Sequence, residues 1–384
     1  MIKPLTATTR EIDDPQAAAA EVLAALELEK NLLKNSLGIL SCFSEFEDTG
    51  ALKAVCDALP FPCIGTTTCL CSAGNEVDEV LLALTVLTSD DCEFKPLMIP
   101  ITAQYEQVIH SSITGMLGQT EDQPALFLTY FPLMNTVSGD MILSAIDETT
   151  GGIPLFGMTT IDHTMDFFTA KTIYNGEAFR EAVILCAIYG AVNVEYGIAS
   201  LDNNKFRIQK AIITESDGNV LMGVNGKNAM EYLEEIGFTR EQLPAPGVGA
   251  VPLVINFGDG TKPVVRAVFT LTPEGHVVCG GKMPVNATLG IGHVDTYDVL
   301  ETASETVRTL IEKDSVLLCY SCIARYLTLG TNNTAEVKKL IEIIGGGAEY
   351  HITYTGGEIC PLPDSNGKLK NIFHNFTIAF CRLS

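Results

Sequence analysis

One local pattern recurs three times along the 384 residues and constrains the fold more than any single motif. It consists of an apolar strand, an amphipathic helix, a second strand entering a threonine-rich turn, and a further strand. The first copy runs through Leu37–Cys42, a helix over Thr49–Leu59, Gly65-Thr66-Thr67-Thr68 and a strand from Val80 to Leu87. The second uses Ala125–Tyr130, Gly139–Glu148, Gly157-Met158-Thr159-Thr160 and Ala182–Ile188. The third uses Ser315–Tyr320, Ala335–Ile344, Thr353-Tyr354-Thr355 and Asn375–Cys381. Apolar residues in the helices fall on one face, as with Val337, Leu340, Ile341 and Ile344. Thr68, Thr160 and Thr355 recur at equivalent points.

Short strand–helix–strand connections favour parallel pairs with right-handed crossovers, and a strand returning after a loop adds antiparallel pairing. The expected class is therefore α/β, mixed α+β, with repeated strand–helix–strand units in mixed sheets. Between the second and third copies the pattern changes. Ser216-Asp217-Gly218-Asn219, Phe257-Gly258-Asp259-Gly260 and Thr272-Pro273-Glu274-Gly275 are turn sequences between alternating runs, which predicts an antiparallel insert. Helices are expected over Asn228–Ile236 and Thr296–Lys313, and Pro244–Gly249 reads as a loop or flex point. A boundary near residue 195 divides the chain into domains 1–195 and 196–384, the second carrying the insert.

The net charge of −23 repels phosphate backbones and anionic lipid heads, so nucleic acid and membrane surfaces are not expected partners. The N-terminal MIKPLTATTREIDD lacks an apolar signal-peptide core, and the longest apolar run, Ala182–Val192, is too short to span a bilayer. The expected location is the cytoplasm. The 12 cysteines sit mostly inside apolar runs, where a reduced thiol behaves as a small hydrophobe.

Three polar clusters close the apolar runs of the last third. Ser321, Cys322 and Arg325 follow the first; Tyr354, Thr355, Gly356, Gly357 and Glu358 follow the second; His374, Asn375 and Thr377 open the last. In open α/β sheets a ligand sits outside the carboxyl ends of the strands, where these clusters fall. A guanidinium grips a carboxylate and a carboxylate receives an ammonium, so Arg325 and Glu358 together suit an amino acid. The structural alternative is that the two only pair with each other. The segments SCIAR, YTGGEI and HNFT resemble the C-terminal half of the FIST family (F-box and intracellular signal transduction). The Ala-rich helix over Asp14–Leu26 and the Ile-Gly-Thr-Thr segment resemble its N-terminal half. The resemblance implies a sensory module that binds a small ligand such as an amino acid, and some members are haem proteins that sense nitric oxide. The earlier copies place Leu70-Cys71 and Asp162-His163 where the third has Gly357-Glu358.

The same residues offer other chemistries. Cys319 and Cys322 form a lone CxxC without a second pair, so no metal site is expected. His163, His351 and His374 are the histidines nearest strand ends, and an imidazole can ligate haem iron, as the resemblance to the family's nitric-oxide sensors implies. Cys322, His374 and Asn375 supply the residue types of a thiol-dependent enzyme, without a flanking signature. The triple glycine at 345–347 lacks the Lys-Ser or Lys-Thr of a phosphate loop and reads as a helix end. The expected protein is a non-catalytic sensor without a resident cofactor, binding a small molecule at Ser321, Cys322, Arg325, Tyr354, Thr355, Gly357, Glu358, His374 and Asn375. With the last strand closing near Ser384, the signal is expected to pass to a separate output protein.

Overall fold

The computed structural model describes residues 1–133, 137–165, 167–200, 207–240 and 252–384. The Pro244–Gly249 loop lies outside the described residues. The first unit runs β1 (Lys3–Thr9), α1 (Pro15–Leu26), α2 (Leu28–Asn31), β2 (Asn35–Cys42), α3 (Glu45–Asp48), α4 (Ala51–Asp57), β3 (Cys63–Thr67), the hairpin β4 (Cys71–Ala73) and β5 (Glu76–Asp78), and β6 (Leu82–Ser89). The second runs β7 (Glu93–Pro100), α5 (Tyr105–Leu117), β8 (Leu126–Phe131), α6 (Gly139–Thr150), β9 (Leu155–Thr159), the hairpin β10 (Thr172–Tyr174) and β11 (Glu177–Phe179), and β12 (Ala182–Tyr189). The third opens with β13 (Val194–Ala199) and is then interrupted. The insert holds β14 (Arg207–Asp217), β15 (Val220–Val224), β16 (Lys227–Asn228), α7 (Ala229–Glu235), β17 (Pro252–Asn256), β18 (Val264–Leu271), β19 (Val277–Cys279) and β20 (Thr288–Ile291). The unit resumes with α8 (Thr296–Arg308), β21 (Val316–Cys322), α9 (Ile323–Leu329), α10 (Ala335–Ile344), β22 (Glu349–Thr355), the hairpin β23 (Gly357–Pro363) and β24 (Leu369–His374), and β25 (Ile378–Leu383).

Local chemistry sets the helix ends. Asp14 caps α1 by accepting from the amides of Gln16 and Ala17, with Pro15 opening the helix. Asp295 and Asp298 form a capping box on α8. Gly345, at φ 54°, ends α10, so the triple glycine does terminate a helix. The helix expected to reach Lys313 stops at Arg308.

Each unit builds a six-stranded sheet in one order: its leading strand, its last strand, its parallel pair, and then a hairpin from another unit. The orders are β1-β6-β2-β3-β10-β11, β7-β12-β8-β9-β23-β24 and β13-β25-β21-β22-β4-β5. Thus β4–β5 completes the sheet of the third unit, β10–β11 that of the first, and β23–β24 that of the second. The parallel pairs β2–β3, β8–β9 and β21–β22, and the antiparallel returns of β6, β12 and β25, bear out the threefold repeat. The exchange of hairpins and the leading strands are features the sequence pattern did not reveal.

Strand alternation separates two faces of every sheet. Inward residues of all three meet in one apolar centre, including Ile39, Ile64, Leu128, Phe156, Ile184, Leu318, Ala379 and Cys381. Outward residues pack under helices: α1 and α4 on the first sheet, α5 and α6 on the second, α8 and α10 on the third. Burying each Leu or Ile side chain is worth roughly 1.5–3 kcal/mol, so the shared centre binds the three sheets into one body. Two polar links cross it. The hydroxyls of Tyr130 and Tyr320 lie 2.8 Å apart, and His351 sits between Ser41 Oγ (2.8 Å) and Thr85 Oγ1 (3.1 Å).

The insert is antiparallel, as its turn sequences predict. Its order is β14-β20-β17-β18-β19-β15-β16, and an added β14–β15 pairing closes the first six strands into a barrel. Arg266 Nη1 donates to the Phe373 carbonyl at 2.7 Å, tying this barrel to β24.

Candidate functional site

Alternation along β21 and β22 divides the expected site residues between two faces. Tyr320 and Cys322 face the interior side of the sheet, Ser321 the helix side; Thr353 and Thr355 point inward, Tyr354 outward. On the helix side, Arg325 is 1% exposed and its guanidinium is taken by Glu336 of α10. Nε and Nη2 reach Glu336 Oε1 at 2.9 and 2.5 Å, and Nη2 also donates to the Val299 carbonyl at 2.6 Å. Glu336 Oε2 accepts from Ser321 Oγ at 2.6 Å and from the Tyr354 hydroxyl at 3.2 Å. Glu336 is itself buried, so each charge neutralises the other, and removing one member of such a pair costs about 3–5 kcal/mol.

This corrects two expectations. Arg325 does not offer its fork to a ligand carboxylate, and its hydrogen-bonded partner is Glu336 rather than Glu358. Ser321 and Tyr354 belong to the same lock between β21, β22, α9 and α10. The signal that could have found it is Glu336, which shares the buried stripe of α10 with Leu340 and Ile344. An acid on an apolar stripe requires a buried cation.

On the inner side, Glu358 is fully buried at the end of the apolar centre. Thr355 Oγ1 donates to Oε1 and Thr377 Oγ1 to Oε2, both at 2.6 Å. Burial pushes the Glu358 carboxyl up to about 8, against the pull of both hydroxyls and of the Arg325 charge. His374, paired with Glu358 across β23 and β24, donates from Nε2 to the Cys360 carbonyl at 3.1 Å. Burial lowers it to about 3, so the ring is neutral. Cys322 caps α9, and burial followed by the Glu358 charge pushes its thiol well above the usual range. That is the opposite of an activated nucleophile. Cys319 and Cys322, three residues apart on one strand, fall on opposite faces and cannot act together.

The turn from β24 to β25 carries Asn375 and Phe376. Phe376 holds φ 58°, a left-handed conformation that a bulky residue adopts only under constraint, at a cost of about 1–3 kcal/mol. Its ring packs with Cys322, Ala324, Val265 and Ala267, between the third unit and the insert. Asn375 Oδ1 accepts from the Ala267 amide at 3.3 Å. Its Nδ2 is buried and has no hydrogen-bond partner among the described residues, and nor does Thr160 Oγ1. Gly356 and Gly357 allow close approach, though to protein: a Cβ on Gly357 would lie 2.5 Å from the Phe373 ring, and one on Gly356 2.8 Å from the Thr160 carbonyl.

Register fixes the counterparts of Glu358 in the other units. Glu358 pairs with Met158, Cys71 with Thr353 and Thr172 with Thr66, so Cys71 and Thr172 stand where the third unit has its acid. Leu70-Cys71 is therefore the counterpart of Gly357-Glu358, but Lys171-Thr172 replaces the expected Asp162-His163. Asp162 sits instead in the longer loop of the second unit, held by Thr164 and Thr169. At this register position only the third unit carries a carboxyl.

Among the described residues, two surface grooves are lined by none of the nine expected residues. One, of about 620 Å³, lies at the opposite strand ends beside Ile2, Asp91 and Glu349. The other, of about 790 Å³, lies between α5, α6 and the insert, beside His110, Asp140, Gly218 and Lys282. Glu358, Thr355, His374, Asn375 and Cys322 are each at most 2% exposed.

Sequence comparison matches the FIST N domain over residues 36–227 and the FIST C domain over 229–361. The chain belongs to the FIST family. FIST domains are sensory signal-transduction domains, and the matches meet within the insert of this FIST protein. No curated protein matches the sequence. A crystal structure of cyanuric acid hydrolase from A. caulinodans aligns over 98% of this chain and 98% of its own, at 7% identity and TM-score 0.36. A chorismatase crystal structure aligns over 100% and 99%, at 10% identity and TM-score 0.36. At these TM-scores neither likeness bears on fold or activity. Among the described residues no helix is long and apolar enough to cross a membrane.

Proposed function

We propose that this FIST protein is a cytoplasmic sensor that binds a small metabolite, an amino acid or a relative of one, at Glu358, and passes the event to a separate output protein. The observation carrying this reading is a carboxyl buried in an apolar centre, braced by two threonine hydroxyls, with its pKa moved to about 8. Strongly perturbed groups of this kind concentrate at functional sites. On giving up its proton, Glu358 receives an ammonium or amide N–H, and the unpartnered Asn375 amide in the next turn accommodates an acceptor oxygen. Asn375 thereby takes the part that Arg325 cannot. Binding rather than turnover fits a site whose one thiol is held protonated.

A thermal-shift screen of amino acids and related metabolites tests it. A ligand present at about 100 times its Kd stabilises the folded state by about 2.7 kcal/mol. At least one compound should raise the wild-type midpoint by several degrees and leave Glu358→Gln unmoved. A hit that shifts both proteins equally would place the ligand elsewhere.

A further inference from the structure

Cys56 lies in the last turn of α4 and Cys63 opens β3, with residues 57–62 between them. Both side chains belong to the apolar layer between α4 and the first sheet. One turn covers the pair, that of the β10–β11 hairpin lent by the second unit. The Cys63 amide donates to Asn175 Oδ1 at 3.0 Å, and the Asn175 amide donates to the Cys63 carbonyl at 2.8 Å. A Cβ on the next residue, Gly176, would lie 3.0 Å from Cys56 Cβ. On β2, Gly38 leaves room for the Cys63 sulfur, since a Cβ there would lie 2.6 Å from Sγ. A hydrogen bond joins the two thiols; that bond, and then burial, push the Cys63 thiol well above its usual range. The sulfurs of Cys71, Cys92, Cys186, Cys279, Cys319 and Cys360 are instead turned to backbone carbonyls. Cys56, at 7%, is also the most exposed of the 12 cysteines.

We propose that Cys56 and Cys63 form a modification site at which a peroxide converts the two thiols into a disulfide. The site is independent of the ligand reading at Glu358. Cys56, the more accessible sulfur, attacks a peroxide oxygen; the O–O bond breaks, the sulfur becomes a sulfenic acid and one water leaves. Cys63, already in contact, attacks that oxidised sulfur. The S–S bond forms, the S–O bond breaks, and the hydroxyl departs with the Cys63 proton as a second water. Two sulfurs thus supply the two electrons that the peroxide takes up. Because the resolving thiol is a neighbour before oxidation begins, the sulfenic acid is captured without any rearrangement of the fold. The product ties the end of α4 to the start of β3, beneath a hairpin from another unit. Oxidation therefore fixes a joint at which the first and second units meet.

Peptide mapping of the full chain after exposure to millimolar hydrogen peroxide tests the pair. The treated protein is denatured, its free thiols are capped with N-ethylmaleimide, and the chain is cut before aspartates. Asp57 follows Cys56, so this cleavage parts the two cysteines unless a disulfide holds them. Wild type should lose two of its 12 thiols, and the fragments carrying Cys56 and Cys63 should appear joined and lighter by two hydrogens. Dithiothreitol, itself oxidised to a cyclic disulfide, should restore both thiols. In Cys63→Ser the sulfenic acid on Cys56 has no resolving partner, so dimedone should trap it about tenfold more than in wild type. If that variant does not fold, the wild-type map decides alone. Cys56 and Cys63 both still capped after treatment, or Cys56 joined to any other cysteine, would overturn the proposal. Equal dimedone trapping in wild type and folded Cys63→Ser would do the same, because Cys63 would then not be the capturing thiol.

Discussion

Three buried titratable side chains give the molecule a pH signature with opposing limbs. Glu358, raised to about 8 from 4.5, keeps in the folded state a proton that the unfolded chain releases. Its contribution is complete below pH 4.5 and lost as pH rises through 8. His351 and His374, lowered to about 3 from 6.5, refuse protons that the unfolded chain accepts. Their contribution is complete above pH 6.5 and lost as pH falls toward 3. One proton of difference changes stability by about 1.4 kcal/mol per pH unit. Between pH 6.5 and 8 Glu358 acts alone among the three, so wild type should lose about 2 kcal/mol relative to Glu358→Gln, measured by urea denaturation. Below 6.5 the two histidines outweigh it and both proteins should weaken together. An alkaline limb of equal slope in the variant would show that Glu358 does not hold its proton. At this scale the sequence misassigned the partner of Arg325. Glu358 and Thr355 do meet, while Arg325 meets Glu336, because partners across a helix–sheet interface depend on which face each side chain takes.

The elements themselves were largely legible. Apolar spacing located α4, α6, α10 and the central strands, and turn residues located the insert, because these signals are local. The hairpins β4–β5 and β10–β11 were not, since strands of three residues carry no readable period and their partners lie in other units. Close packing of the parallel pairs leaves its own mark. An ideal Cβ on Gly65 would lie 1.8 Å from the Leu40 carbonyl, and one on Gly157 1.8 Å from that of Thr129. Gly157→Ala must force β8 and β9 apart and should cost roughly 3 kcal/mol or more, in the range of severe core substitutions. Gly115→Ala, in α5 with nothing within 4 Å, should instead gain about 0.5–1 kcal/mol. Similar urea midpoints for the two variants would refute this account of the glycine.

At the scale of the whole molecule, the three sheets share both a centre and their edges. The boundary expected near residue 195 falls just after β13 begins, and the two family matches meet at 227–229 inside the inserted barrel. Neither point frees a complete sheet, since β4–β5 needs β22 and β9 needs β23. Separately produced fragments 1–227 and 228–384 should each lack a cooperative urea transition, and mixing them should restore one. A cooperative transition in either fragment alone would mean that the exchanged hairpins are dispensable.

The exchange also sets an order on biosynthesis. The hairpin ending at Asp78 emerges from the ribosome long before Glu349, the start of the strand it pairs with. At about 5–20 residues per second that interval is roughly 15–50 s. Through it the nascent chain carries an unmated hairpin whose apolar face has nowhere native to go. Such a protein depends on holdase protection during translation more than its final stability would indicate.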